Sequence, residues 1–131
     1  MVNITSYQKS YFDLLVGMYQ SQYSADEDYI LPETLPEIGY MAFEGAIPVC
    51  AGFLRRVEGG YAQIDGLVSN ADVDSDIRHE HMTKLVDKLI EDAVNLGIIG
   101  LVCYTDNQDV LKRAKGLGFI VTSKIVIVKT F

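Results

Sequence analysis

The strongest constraint on how this chain folds lies between residues 82 and 104. Met82, Leu85, Val86, Leu89, Ile90 and Ala93 recur at spacings of three and four, which lines them along one side of an α-helix. Lys84, Asp87, Lys88, Glu91 and Asp92 fall on the other side. Leu96-Gly97 closes the helix, with a glycine suited to the left-handed cap. Directly afterwards, Ile98 to Tyr104 is a nearly continuous apolar run, as expected of a strand covered on both faces. A helix with one apolar stripe must lay it on something, and a strand of this kind needs a layer above and below. Together they require a mixed sheet with helices packed on it.

The flanking sequence fits that requirement. Ile38–Phe43, Ile47–Val57 and Tyr61–Ser69 read as strands, separated by Glu44-Gly45 and Glu58-Gly59-Gly60. Short glycine turns of this kind join antiparallel hairpins. Val2 to Thr5 predicts a first strand. A helix is expected from about Tyr7 to Tyr23, with Leu15, Met18, Tyr19 and Gln22 on one face; Thr5 with Gln8, or Ser10 with Asp13, would form a capping box at its start. Residues 24–37 are polar and acidic and contain Pro32 and Pro36, so they read as a loop or broken helix. Asn70 to Asp76 is a second polar loop. Thr105-Asp106-Asn107-Gln108 resembles a capping box opening a helix to about Lys115, which Gly116-Leu117-Gly118-Phe119 ends. Ile120 to Phe131 alternates as a final strand or two short ones. The expected order is β-α-β-β-β-α-β-α-β, within a single domain spanning 1–131.

Composition removes several classes of function. Asp and Glu outnumber Lys and Arg 18 to 11, for a net charge of −7, so the positive footprint of a nucleic-acid binder is missing. An acidic surface tolerates a cationic amine, although it also serves solubility alone. No apolar run reaches the roughly 18 residues of a membrane span. The first residues lack the basic and apolar regions of a signal peptide, and a cytoplasmic location is expected. Cys50 and Cys103 sit apart in apolar runs; they make neither a zinc site nor a disulfide framework, and a reducing compartment is the simplest inference.

The element order, together with Val73-Asp74-Ser75-Asp76-Ile77-Arg78, the amphipathic helix after it and the ending Leu117-Gly118-Phe119, resembles the GNAT (GCN5-related N-acetyltransferase) superfamily. Ala51-Gly52-Phe53-Leu54-Arg55 and Ile64-Asp65-Gly66-Leu67-Val68-Ser69-Asn70 are also similar to short GNAT-like proteins of tailed phages. The resemblance implies an α/β (α+β) fold with a mixed, mostly antiparallel sheet and helices on both faces. It implies acetyl-CoA as co-substrate and an amine, on a small molecule or peptide, as acceptor. In that family a loop of the form Q/R-x-x-G-x-G/A approaches the pyrophosphate with backbone N–H groups at a helix N-terminus. Here the segment reads Arg78-His79-Glu80-His81-Met82-Thr83, so His81 and Thr83 stand where small residues are usual.

By the same resemblance, Arg78, His79, His81, Met82 and Thr83 would hold the cofactor's phosphates, Leu67, Val68 and Ser69 would pair with pantetheine along a free strand edge, and Asn107, equally a capping-box residue, would contact pantetheine after the fifth strand. Asp65 is the candidate base, with His79 and His81 as alternatives because histidine titrates in the right range. An acid in an otherwise apolar strand would have a raised pKa, which suits that role; a hydrogen-bonded strand-end aspartate is the plainer alternative. The family's tyrosine acid, four residues before the glycine of the closing L-G-F, is replaced by Ala114. Tyr104 is the candidate substitute, against the simpler role of a half-buried strand aromatic. The acidic stretch Asp26-Glu27-Asp28, between Tyr23 and Tyr29, falls where the family builds its acceptor site. Ile125 to Phe131 could pair at an edge with a second copy, giving a homodimer. Two other readings remain at this stage. One is a GNAT-fold protein that has lost catalysis and serves as a binding or virion-associated module. The other is a different small α/β protein that uses Arg78, His79 and His81 for another ligand.

Overall fold

Hairpin glycines and alternating apolar residues translate into a five-stranded sheet in the computed structural model, which describes residues 1–22, 32–105, 108–123 and 129. The strands are β1 (Asn3–Ser6), β2 (Ile38–Glu44), β3 (Ile47–Arg56), β4 (Tyr61–Ser69) and β5 (Gly100–Cys103), and they lie side by side in chain order. The first four run antiparallel to their neighbours; β5 returns parallel to β4. The helices are α1 (Phe12–Gln22), α2 (Ser75–Asn95) and α3 (Gln108–Gly116), with single 3₁₀ turns at Lys9–Tyr11 and Pro32–Thr34.

The sheet has a core on each face. On one, Leu85, Leu89 and Ala93 of α2 meet Cys50, Leu54, Ala62 and Ile64 of the sheet. Leu85 and Leu89 are fully buried, each contributing about 1.5–3 kcal/mol of burial. On the other face, Leu15 and Met18 of α1 cover Met41, Ala51, Phe53 and Val68. Aromatic rings finish this side: Tyr7 meets Phe53 edge-on with centroids 5.1 Å apart, and Tyr11 meets Phe43 at 5.5 Å. Leu15 and Met18 are thus on the face that helical spacing assigns to them.

Both C-terminal caps follow the sequence. Gly97 has φ +77°; its N–H bonds the carbonyl of Val94 and that of Ile98 bonds Ala93. Gly118 has φ +88°, with Gly118 N–H on Lys115 and Phe119 N–H on Ala114. These are the paired bonds of a Schellman motif. The N-terminal ends depart from expectation. The 3₁₀ turn leading into α1 opens at Gln8 without a side-chain cap, and the Thr5 hydroxyl is buried with no hydrogen-bond partner among the described residues. The strand β5 is shorter than the apolar run around it. Helix α2 begins earlier than the segment 78–83 suggested. Residues 120–123 form no strand, and residues 124–128, 130 and 131, which carry most of the expected final strand and its dimer edge, lie outside the described residues. So do residues 23–31, with the acidic stretch proposed for the acceptor.

Candidate functional site

Strand β4 changes character halfway along. Its ladder with β5 runs from Tyr61 opposite Gly100 to Ile64 opposite Cys103, where β5 ends. Beyond Ile64, among the described residues, only β3 pairs with it, and that ladder is interrupted. Phe53 faces Asp65 and Ala51 faces Val68, so Gly66 and Leu67 together oppose Gly52. This is a β-bulge whose first residue is a glycine with φ +63°. A Cβ added at Gly66 would lie 3.0 Å from Phe53 and 3.3 Å from the Tyr19 hydroxyl, so both conformation and space require glycine.

The end of β4 is fastened by polar bonds. Gln22 at the end of α1 donates from Nε2 to Ser69 Oγ at 3.0 Å, and the Ala71 N–H donates to Ser21 Oγ at 3.2 Å. Asn70 donates from Nδ2 to the Pro48 carbonyl at 2.9 Å and accepts the Asp72 N–H at 3.0 Å. The backbone from Leu67 to Ser69 is thereby held with one side turned to a cleft of about 610 Å³, bounded by β4, the start of α2 and α3.

Leu67, Val68, Ser69, Arg78, His79, Met82 and Thr83 all line this cleft. The local structure of the helical four differs from a glycine-rich loop. Helix α2 starts at Ser75, and the Arg78 N–H already bonds the Asp74 carbonyl at 3.0 Å. Only the N–H groups of residues 75–77 therefore lack an intrahelical partner. Thr83 Oγ1 donates to the His79 carbonyl at 2.8 Å. His79 is exposed, with Nδ1 3.4 Å from Arg113 Nη2.

His81 does not join them. It is 1% exposed, with Nδ1 2.8 Å from the Ile77 carbonyl and Nε2 3.0 Å from Glu44 Oε2. The reason is helical phase: 81, 85, 89 and 93 are four apart, so His81 belongs to the buried stripe. Asn107 lies outside the described residues. Asp65 and Tyr104 do not line the cleft. Asp65 is not isolated among apolar groups: Oδ2 accepts from Arg55 Nε at 2.8 Å and Nη2 at 2.7 Å, and the carboxylate is one-third exposed. Tyr104 follows β5 and is 59% exposed, not half-buried in a strand.

The far wall, on α3, was not singled out in the sequence. Asp109, Val110, Lys112, Arg113, Gly116 and Leu117 line it; their spacing of three and four was the available signal. The Nε atoms of Arg78 and Arg113 are both buried without a hydrogen-bond partner among the described residues. Burial pushes the Arg113 guanidinium below its usual range, while Cys50 and Asp109 nearby act the other way. The thiols are poor nucleophiles: burial pushes Cys50 up to about 12 and, with the Asp65 charge, raises Cys103. Among the described residues no cluster of His, Cys, Asp and Glu could hold a metal, and no helix is long and apolar enough to cross a membrane.

Searches of protein-family models and of curated sequences find no match. Solved structures do match along the whole chain. A transcriptional regulator from Bacillus halodurans C-125 superposes with a TM-score of 0.75 at 16% identity, covering 99% of this chain and 100% of its own. A GNAT-family acetyltransferase from Streptococcus pneumoniae TIGR4 gives 0.71 at 15%, with coverages of 99% and 100%. AAC(6')-Iy, solved with a CoA-based bisubstrate analogue, gives 0.71 at 13%, covering 100% of this chain and 99% of its own. At such identities the likeness is one of architecture. The chain has the GNAT fold, in which a mostly antiparallel sheet opens between β4 and β5.

Proposed function

We propose that this protein transfers an acetyl group from acetyl-CoA to an amine on a small molecule or peptide. The observation that carries the reading is the open edge of β4, Leu67–Ser69, held rigidly along a cleft that also receives the start of α2. An unpaired strand edge offers amide donors and acceptors to an extended ligand with its own amides, as pantetheine has. The cationic side chains at the start of α2 suit the phosphates at the other end. That AAC(6')-Iy accommodates a CoA-based analogue on the same fold supports the choice of ligand.

The chain's own groups then divide the work. Backbone N–H groups at the edge of β4 polarise the thioester carbonyl. Arg78 and His79 hold the phosphates, Met82 supplies an apolar contact, and Thr83 keeps the helix wall closed. Asp65, held by Arg55 through Oδ2, takes the proton that the attacking amine releases. As the C–N bond forms the C–S bond breaks, and the departing sulfur takes a proton, for which Tyr104 is the proposed source. Tyr19, whose hydroxyl lies beside Gly66, is a second phenol near this point.

Calorimetry with acetyl-CoA tests the reading. Micromolar binding is expected, followed by thiol release with some member of an amine panel. No binding at millimolar acetyl-CoA would overturn it and leave a GNAT fold without its coenzyme.

A further inference from the structure

We infer that the donor's acyl group extends beyond acetyl, to three or four carbons, and that an apolar cavity walled by Ala114 of α3 selects for that length. The inference rests on the coenzyme reading and deepens it by naming the class of acyl group: short, uncharged and aliphatic, as in propionyl-CoA and butyryl-CoA.

The cavity lies where the sheet opens. Ile64 and Cys103 are the last paired residues of β4 and β5. Both line it, with Val86 of α2, Ala114 of α3 and Phe119. Leu67, Val110, Arg113 and Leu117 line it as well, and these four also line the cleft, so the two spaces adjoin. Leu67 begins the strand edge along which the thioester is held, so the acyl end of the ligand meets the cavity at the foot of that edge. The cavity measures about 30 Å³, and a water-sized group takes about 10–15 Å³. It therefore has room for about two such groups, matching the two carbons by which butyryl exceeds acetyl. Its walls are almost wholly apolar. Cys103 does not alter that, since burial and the Asp65 charge raise its pKa and keep the thiol neutral, and Arg113 contributes its methylene stem. Water finds no polar partner in such a space, and packed interiors seldom keep one empty. An aliphatic chain suits it; an acyl group ending in a carboxylate would lose its hydration there without compensation. The room depends on position 114. Val110, Ala114 and Leu117 share one face of α3 by their spacing of four and three, and the smallest of them stands in the middle.

Calorimetry on the full chain, with coenzyme A and its acetyl, propionyl, butyryl and octanoyl thioesters as ligands, tests this without a known acceptor. Affinity should rise about fourfold per added carbon from acetyl to butyryl, the effect of burying one methylene each time. Octanoyl-CoA should bind no more tightly than butyryl-CoA. Ala114→Leu should remove the rise and leave the affinities for coenzyme A and acetyl-CoA unchanged. Equal affinity for the three short thioesters, or a rise that survives in a folded Ala114→Leu protein, overturns the acyl cavity and leaves the coenzyme reading standing. A further rise with octanoyl-CoA does the same, because a space of this size cannot enclose that chain. Binding of none of the five ligands overturns both. Should Ala114→Leu fail to fold, Cys103→Met narrows the space from β5 and carries the same expectations.

Discussion

The two halves of β4 are built from one strand and do different things. From Ala62 to Ile64 it is bonded to a neighbour on each side, and Ala62 and Ile64 are buried. From Leu67 to Ser69 it pairs, among the described residues, with β3 alone, and its other edge faces the cleft. The change falls at Asp65-Gly66. Paired backbone on both sides makes a wall; paired backbone on one side makes a wall that can still accept a ligand. On the proposed function, the fold stores its binding capacity as hydrogen bonds left unmade among the described residues, and the task of the surrounding residues is to keep them available without letting the strand fray.

Variants at and around the junction should separate the halves. Phe53 is fully buried behind the bulge and contacts Tyr7; Phe53→Ala should cost about 3–5 kcal/mol in urea unfolding. A loss under about 1 kcal/mol would show that the open half is not braced by that ring. Asp65→Asn should reduce turnover about 100-fold or more, some 2.7 kcal/mol of barrier, while melting within a few degrees of wild type. Full activity would remove Asp65 from the chemistry. Gly66→Ala forces a left-handed conformation on a residue with a Cβ and should cost about 1–2 kcal/mol. Its KM for acetyl-CoA should rise while hydrogen exchange at Tyr61–Ile64 stays slow; faster exchange there would mean the halves are not independent.

The smallest effect lies away from the cleft. Tyr40 donates to Asp92 Oδ2, and burial first, then that bond and the charges of Asp92 and Glu91, push its phenol up to about 12. A raised folded pKa means that the contribution is fully present below about pH 10 and lost as pH climbs towards 12. Stability should fall through that window, and Tyr40→Phe should flatten the fall. An unchanged slope in the variant would assign the loss to other groups.

Much of this was legible in the residues. The hairpins, the stripe of α2 and both glycine caps are local, and each depends on spacing or on a backbone conformation that few residues tolerate. Expectations failed where the answer depended on distant partners. Spacing of four places His81 in the core, but its role among loop residues followed from a family pattern that this helix start does not share. Asp65 looked isolated because its partner Arg55 is brought beside it only by the β3–β4 register. The bulge had a signal, a glycine inside a strand, and so did the charged wall of α3. Neither says what it faces until the sheet and helices are assembled.

The bulge has one more consequence. Ile64 belongs to the core under α2, and Val68, an even number of residues later, belongs to the core under α1. One supernumerary residue inverts the strand's parity, so β4 is read in two phases, as a message is after a frameshift. Deleting Gly66 would restore a uniform phase and leave Val68 under α1; were the extra residue instead absorbed into the ladder without a bulge, Val68 would be addressed to the opposite layer of the protein.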